Sequence, residues 1–222
     1  MPDSAMIRVV VFDLDGLMFN TEEVFFASGT ELLARRNHVL TPELLRMMIG
    51  RRAPEAFGLM RDTLGLEESV ESLLAESQQL FDDLLETHLA PMPGLLDLLD
   101  DLQAQGIPHG VATSSSRSFM TKLLERFELE PRFRHTLTAE DVTHGKPHPE
   151  IYLTAAERFG VQPAEMLVLE DSENGTKAAA AAGAVVASVP HQHTRGQDFS
   201  HSTRVVDTLA DPWIRQRLAA GR

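Results

Sequence analysis

Short runs of apolar and β-branched residues alternate with longer amphipathic segments over most of this chain. The first run, residues 6–12, has a single charged position and is typical of a strand buried on both faces of a parallel sheet. From residue 95 onward such runs alternate with helical patterns, which predicts a doubly wound parallel sheet of the α/β class. The predicted strands lie at 6–12, 109–112, 133–138, 166–169 and 184–189, with a weaker one near residue 205.

The stretch from residue 21 to residue 89 differs, because its apolar residues recur only at helical spacing. Thr21, followed by two glutamates, is typical of a helix N-cap and an acidic first turn. Glycine and proline interrupt the pattern several times, which predicts several helices and no strand. We therefore expect two domains: an α/β core of residues 1–20 and 90–222, and an inserted all-α domain of residues 21–89.

Composition narrows the range of partners. The chain has 222 residues, of which 20 are basic and 33 are acidic, for a formal net charge of −13. Such a charge gives no electrostatic reason to bind nucleic-acid phosphates or an anionic membrane. The sequence contains no cysteine, which excludes disulfides, thiolate nucleophiles and cysteine-ligated metals. With no signal-like N-terminus and no apolar stretch near the about 20 residues of a membrane helix, we expect a cytoplasmic protein. Separately, we expect it to be a monomer.

Polar residues follow four of the predicted strands or lie in the loops beyond them. In an open parallel sheet, ligands bind outside the carboxyl ends of the strands, so we expect these side chains to converge. Carboxylates gathered there would repel one another unless a hard cation such as Mg²⁺ lay among them, and a lysine and a hydroxyl would hold an anion such as phosphate. The set comprises Asp13 and Asp15, Thr113 and Ser114, Lys146, and Glu170 and Asp171.

The two N-terminal aspartates can divide the chemistry between a nucleophile and a general acid/base. Gly16 allows the chain to turn there and to bring Asp13 and Asp15 to one cavity. An EF-hand calcium loop is excluded, because it needs glycine at its sixth position and here glycine is fourth. A metal role for His191 and His193 is not favoured, because no third ligand is placed near them.

Four ordered segments resemble the motifs of the haloacid dehalogenase superfamily, namely residues 13–22, 111–115, 145–149 and 169–175. They are most similar to the β-phosphoglucomutase-like and pseudouridine-5′-phosphatase-like branch, and the helical insert resembles the small cap of that branch. The resemblance implies a Mg²⁺-dependent phosphatase that hydrolyses small phosphate monoesters, either sugar phosphates or nucleotide-like compounds, through an aspartyl-phosphate. It also implies that the cap excludes water during the reaction.

The resemblance implies a catalytic role for several motif residues. Asp13 would be the nucleophile, and Asp15 would protonate the leaving alcohol and then activate water. Thr113, the backbone N–H of Ser114 and Lys146 would bind the phosphate, with Asp15 beside them.

It implies a metal site and a specificity region as well. Mg²⁺ would be bound by Asp13, the carbonyl of Asp15 and Asp171, with Glu170 bonded to metal-bound water. Substrate specificity would come from the cap and from the segment around the second motif. The expected specificity residues are Arg51, Arg52, Ser115 and Arg117.

Two alternative functions stay open at this point. A sugar-phosphate mutase would use the same machinery, but the related mutases carry a histidine five residues after the position of Asn20, where this chain has Phe25. Asn20 itself stands where most relatives carry aspartate, which affects the hinge rather than the chemistry. A binding module that has lost turnover is the least favoured alternative, because every motif residue is present.

Overall fold

A parallel sheet of six strands forms the centre of the larger of two units in this computed structural model, which describes residues 6–48 and 53–219. The strands are β1 (Val9–Phe12), β2 (His109–Ala112), β3 (His135–Leu137), β4 (Met166–Glu170), β5 (Val185–Ser188) and β6 (Arg204–Val205). Their order across the sheet is β3-β2-β1-β4-β5-β6, and neighbouring strands are parallel. The predicted doubly wound sheet is confirmed, and its two halves meet between β1 and β4.

The helices form two groups along the chain. They are α1 (Thr21–Ala34), α2 (Pro42–Met48), α3 (Ala53–Leu64), α4 (Val70–His88), α5 (Leu95–Ala104), α6 (Arg117–Arg126), α7 (Glu150–Phe159), α8 (Glu173–Ala182) and α9 (Pro212–Ala219). Among the described residues, no strand lies between α1 and α4, whereas the later helices are interleaved with strands. This is the change of pattern that the hydrophobic spacing predicts.

The central strands are covered on both faces. Every residue of β1, β2, β4 and β5 is buried, which explains why apolar residues do not simply alternate with polar ones along these strands. On one face, Ala178 and Ala179 of α8 belong to the same buried cluster as Val9 and Val168 of the sheet. Alanine side chains let a helix approach a sheet closely. Because α8 begins at Glu173, just after β4 ends at Glu170, its first turn lies near the carboxyl end of that strand.

The smaller unit comprises Thr21–Ala90, and the larger one comprises Met1–Asn20 and Pro91–Arg222. Within the smaller unit, α1 packs mainly against α4. Its apolar core takes residues from all four helices, namely Leu32, Leu33, Leu44, Phe57, Met60, Leu73 and Leu80. Arg36, just beyond α1, adds hydrogen bonds to Glu68 at 2.9 Å and Glu76 at 2.6 Å. Within residues 6–48 and 53–219, no helix is both long and apolar enough to cross a membrane.

Candidate active site

Two neighbouring strands place Asp13 and Glu170 side by side at the carboxyl edge of the sheet. Strands β1 and β4 pair with Phe12 opposite Leu169, and the Asp13 N–H donates to the Leu169 carbonyl at 2.9 Å. Both acidic side chains are buried, because each lies at the end of a strand that is covered on both faces. The strand register therefore brings together two carboxylates that are far apart in sequence.

Lys146 lies between these two carboxylates. Its Nζ donates to Asp13 Oδ1 at 2.5 Å, to Glu170 Oε1 at 2.7 Å and to the Ala112 carbonyl at 3.0 Å, so each ammonium proton has an acceptor. The lysine side chain is only 6% exposed. Removing one member of a buried ion pair leaves an uncompensated charge, so this contact strongly constrains the position of Asp13.

Burial and charge oppose each other in setting the pKa values of these groups. Burial alone would lower the pKa of Lys146, but Asp13 and Glu170 outweigh it and raise that pKa well above its usual value. The lysine therefore stays protonated. Burial raises the pKa of Asp13, Lys146 lowers it, and the charges of Glu170 and Asp171 raise it further, so the net direction is upward. A divalent cation beside Asp13 would favour its ionised form.

Glu170 is held at both of its carboxylate oxygens. Oε1 accepts from the hydroxyl of buried Tyr152 at 2.7 Å, in addition to the ammonium. Oε2 accepts from the backbone N–H groups of Asp171 at 3.1 Å and Ser172 at 3.3 Å. Burial, followed by the charge of Glu170, raises the pKa of Tyr152, so the phenol remains a donor. A methyl group added at Gly175 of α8 would lie 1.7 Å from Glu170 Oε1, so the helix backbone itself contacts this carboxylate.

Asp171 has a partner that lies outside the sequence motifs. His191, in the loop after β5, places its Nε2 2.9 Å from Asp171 Oδ2. The His193 N–H donates to Nδ1 of His191 at 3.2 Å, so the proton of a neutral imidazole lies on Nε2 and is donated to Asp171. Gly16, at φ +74°, leaves room for this pair, because a Cβ there would lie 2.5 Å from Asp171 Oδ2 and 2.7 Å from His191 Nε2.

Asp15 is oriented by hydroxyl groups from the loop after β2. The Ser115 hydroxyl donates to Asp15 Oδ2 at 2.6 Å, and the Thr113 hydroxyl donates to the same oxygen at 3.3 Å. The Ser115 N–H in turn donates to Thr113 Oγ1 at 3.0 Å, which fixes the loop that carries both hydroxyls. Asp15 is partly exposed, unlike Asp13, so its carboxyl group can exchange protons with a ligand or with water.

The group of acidic side chains fits a hard divalent cation. Carboxylate oxygens of Asp13, Glu170 and Asp171 lie within 4.8 Å of one another, and all three residues are buried. Mg²⁺ prefers oxygen ligands and is usually bound by one or two carboxylates together with waters. Lys146 supplies one positive charge to a cluster with three carboxylates, and a divalent cation would balance the remainder.

Most of the expected site residues come together at this edge of the sheet. The residues joined by the contacts above are Asp13, Asp15, Thr113, Lys146, Glu170 and Asp171. Ser114 is exposed and lies between Thr113 and Ser115 in the same loop.

The expected specificity residues are distributed differently. Ser115 contacts Asp15, whereas the guanidinium of Arg117 binds Asp141 and the hydroxyl of Thr138. The contacts of Arg117 are thus with Asp141 and Thr138 rather than with Asp13 or Asp15, and its specificity role stays a prediction. The other two expected residues, Arg51 and Arg52, lie outside the described residues.

Sequence reasoning missed Tyr152 and the role of His191. Tyr152 lies on an amphipathic helix, and nothing in the sequence distinguishes it from a core aromatic residue. The sequence pattern suggests only a metal role for His191 and gives no sign of a contact with Asp171. Its place just after the fifth predicted strand does indicate that it lies near the site, because the carboxyl ends of the strands share the sheet edge that carries Asp13 and Asp171.

These features define an α/β protein with a buried carboxylate and lysine site at the carboxyl ends of its central strands. The chain belongs to the haloacid dehalogenase-like hydrolase family, whose sequence model matches residues 10–189.

One named relative agrees with the expected branch of that family, and a further relative and a solved structure are similar to this chain over most of its length. A Drosophila melanogaster protein named "Probable pseudouridine-5'-phosphatase" is 34% identical over 207 residues, covering 90% of this chain and 89% of the relative. The Arabidopsis thaliana protein "(DL)-glycerol-3-phosphatase 1, mitochondrial" is 34% identical over 213 residues, covering 92% of this chain and 71% of the relative. A family hydrolase from Deinococcus radiodurans, crystallised with bound phosphate and sodium, has a TM-score of 0.82 at 26% identity, covering 98% and 97% of the two chains.

Proposed function

We propose that this protein is a Mg²⁺-dependent phosphatase that hydrolyses small phosphate monoesters, sugar phosphates or nucleotide-like compounds, through an aspartyl-phosphate on Asp13. The observation that carries the proposal is the buried ammonium of Lys146 between Asp13 and Glu170. The names of the relatives, a glycerol-3-phosphatase and a pseudouridine-5'-phosphatase, support phosphate monoesters as the substrate class. Action as a monomer in the cytoplasm is part of the same proposal.

The reaction takes two steps. In the first, an oxygen of Asp13 attacks phosphorus, the bond from phosphorus to the alcohol oxygen breaks, and protonated Asp15 gives its proton to that oxygen. In the second, Asp15 takes a proton from a water molecule as the water oxygen attacks phosphorus. The bond from phosphorus to Asp13 then breaks, inorganic phosphate leaves, and both aspartates return to their starting states.

Neighbouring residues assist these steps by charge and by orientation. Lys146 holds Asp13 in place and offsets the negative charge that accumulates around the phosphoryl group. Thr113 and Ser115 donate to one oxygen of the Asp15 carboxyl and so orient this group for proton transfer.

The metal would lie among the same carboxylates. We propose Asp13, the Asp15 carbonyl, Glu170 and Asp171 as the residues that hold Mg²⁺. When bound, the ion would supply positive charge that allows a phosphate dianion to approach the carboxylates.

A phosphate-release screen against phosphorylated sugars, nucleotides and small alcohols tests the proposal. We expect turnover with Mg²⁺, loss of turnover in EDTA and recovery when Mg²⁺ is returned. Asp13→Asn should abolish turnover and leave the fold intact, because it removes the attacking anionic oxygen. The matched control is Asp97→Asn, which alters an exposed aspartate of α5 and should behave as wild type. Turnover by metal-free protein, or by purified Asp13→Asn, would contradict the proposal.

The mutase alternative has a separate test. Phe25 stands where the related mutases carry a histidine, and its ring has no group that can hydrogen-bond a carboxylate. Asp15 should therefore activate water as soon as the phosphoenzyme forms. We expect free phosphate, rather than glucose 6-phosphate, from β-glucose 1-phosphate supplied with a trace of the bisphosphate and Mg²⁺. Faster accumulation of glucose 6-phosphate would favour the mutase.

A further inference from the structure

The segment that carries Lys146 also brings together two imidazoles and a carboxylate on its exposed side. His144, His148 and Glu150 each offer one ligand atom, and these atoms lie within 4.8 Å of one another. The side chains of the two histidines are 63% and 51% exposed, so an ion can reach them from solvent. We propose that these three residues form a binding site for a borderline divalent transition ion, with Zn²⁺ as the ion expected. This inference does not depend on the proposed phosphatase activity.

The distances between the ligand atoms suit a small tetrahedral ion. His144 Nδ1 lies 2.9 Å from Glu150 Oε2, and His148 Nδ1 lies 3.8 Å from the same oxygen. Zn²⁺ binds nitrogen and oxygen at about 2.0–2.2 Å, which places neighbouring ligands of a tetrahedral site roughly 3.3–3.5 Å apart. One distance is slightly shorter than this value and the other slightly longer. Small side-chain rotations at the surface would bring all three atoms to the ion.

The carboxylate is already fixed in position. Glu150 Oε1 accepts from the Thr143 N–H at 2.8 Å, and Oε2 accepts from the His144 N–H at 2.9 Å. A ligand that is held by the backbone before the ion arrives loses little conformational freedom on binding.

The two imidazoles are also arranged for metal binding. Their ring centroids are 4.6 Å apart, and the rings are inclined by 35°. The Glu150 N–H donates to His148 Nδ1 at 3.3 Å, so this nitrogen presents a lone pair, as a metal ligand must. At His144, the ion would replace the proton that Nδ1 shares with Glu150. The Glu150 N–H lies at the exposed start of α7, where water can accept its bond.

The ligand types favour Zn²⁺ over Mg²⁺ at this position. Two imidazole nitrogens and one carboxylate form a site for zinc and its neighbours in the transition series, whereas Mg²⁺ prefers oxygen ligands only. Three protein ligands leave a fourth position for water. Because His144 and His148 lie on either side of Lys146 in the chain, an ion bound here would join the two ends of the loop that carries it.

Zn²⁺ binding to the untagged full-length protein tests this proposal. The titration is run in excess Mg²⁺, which competes for the carboxylate site, and is followed by competition with a chromophoric chelator. The visible absorption of bound Co²⁺ reports the coordination geometry. We expect one Zn²⁺ per chain and a tetrahedral Co²⁺ spectrum. Loss of an outer-shell partner alone weakens metal binding by about 10–100-fold. Because the two histidines are proposed as direct ligands, His144→Asn and His148→Asn should each weaken Zn²⁺ binding by more than about tenfold.

Two further variants make the outcome decisive. His201→Asn alters an exposed histidine outside the cluster, and Asp171→Asn alters the carboxylate site, so both should retain the Zn²⁺ affinity of wild type. Unfolding temperatures measured without Zn²⁺ establish that each variant is folded. Absence of stoichiometric Zn²⁺ binding by wild type would overturn the proposal. So would binding that survives both histidine substitutions or is lost in Asp171→Asn.

Discussion

Replacing Gly175 with alanine would place a methyl group within the volume of the Glu170 carboxylate. The Cβ of such an alanine would lie 1.7 Å from Oε1, 2.0 Å from Cδ and 2.2 Å from Oε2 of Glu170. Non-bonded heavy atoms need about 3.5 Å, so either the carboxylate or the first turn of α8 must move by roughly 1–2 Å. A shift of that size breaks at least one of the 2.7 Å hydrogen bonds that Glu170 accepts from Lys146 and Tyr152.

The expected loss of stability is the balance of three contributions. Overpacking a core costs about 1–3 kcal/mol, and losing a buried hydrogen bond to a charged group costs about 1.5–3 kcal/mol. Alanine in place of glycine gains about 1 kcal/mol of helix propensity. With one of the two hydrogen bonds lost, Gly175→Ala should therefore lower the free energy of unfolding by about 1.5–5 kcal/mol. Moving Glu170 also removes a fixed neighbour of Lys146 and Asp171. Because misplacing a catalytic group by about 1 Å can lower the rate by about 100-fold, activity should fall by about that factor.

Urea unfolding and Mg²⁺-dependent phosphate release measure the two effects on the same preparation. The matched control is Gly58→Ala in α3, also a helical glycine, where among the described residues an added Cβ would meet only Val70 Cγ2 at 3.9 Å. This variant should be at least as stable as wild type and equally active. If Gly175→Ala matched the stability and activity of wild type, the close contact between α8 and Glu170 would be wrong.

Three further predictions concern single contacts. Tyr152→Phe removes a buried donor to Glu170 and should lower the free energy of unfolding by about 1.5–3 kcal/mol, measured by urea unfolding. His191→Ala removes the donor to Asp171 and should raise the Mg²⁺ concentration for half-maximal activity by about 10–100-fold, with the substrate KM unchanged at saturating Mg²⁺. The pKa of Glu150 is lowered from 4.5 to about 2, first by its hydrogen bond from the Thr143 N–H and then by the one with the His144 side chain. Its charge therefore stabilises the native state above pH 4.5, and this contribution is lost as the pH falls toward 2. The difference in unfolding temperature between wild type and Glu150→Gln should shrink over that interval.

Each of these predictions has a result that would contradict it. Unchanged stability of Tyr152→Phe would mean that its hydroxyl contributes nothing to holding Glu170. A rise in substrate KM without a change in Mg²⁺ activation would show that His191 serves the substrate rather than Asp171. A stability difference for Glu150→Gln that grows with acidity would show that the pKa of Glu150 is raised by folding.

Much of the fold could be predicted because it depends on local pattern. The continuous apolar run of Val9–Phe12 indicates burial on both faces, and the alternation of strands and helices after residue 95 indicates a parallel sheet. The convergence of Asp13, Lys146 and Glu170 was also predictable. The carboxyl ends of parallel strands meet at one edge, so residues that follow the strands come together whatever their separation in sequence.

Only the tertiary structure determined which groups contact one another at that edge. Tyr152 is an ordinary position on an apolar helix face until α7 packs on the sheet and places its hydroxyl 2.7 Å from Glu170. Ser115, expected to contact substrate, donates to Asp15, and His191 donates to Asp171 from a loop beyond β5. The hydrophobic pattern indicates which face of an element is buried. Hydrogen-bond partners, however, depend on distances of a few tenths of an ångström between elements that are remote in the chain, and those distances exist only once the elements have packed.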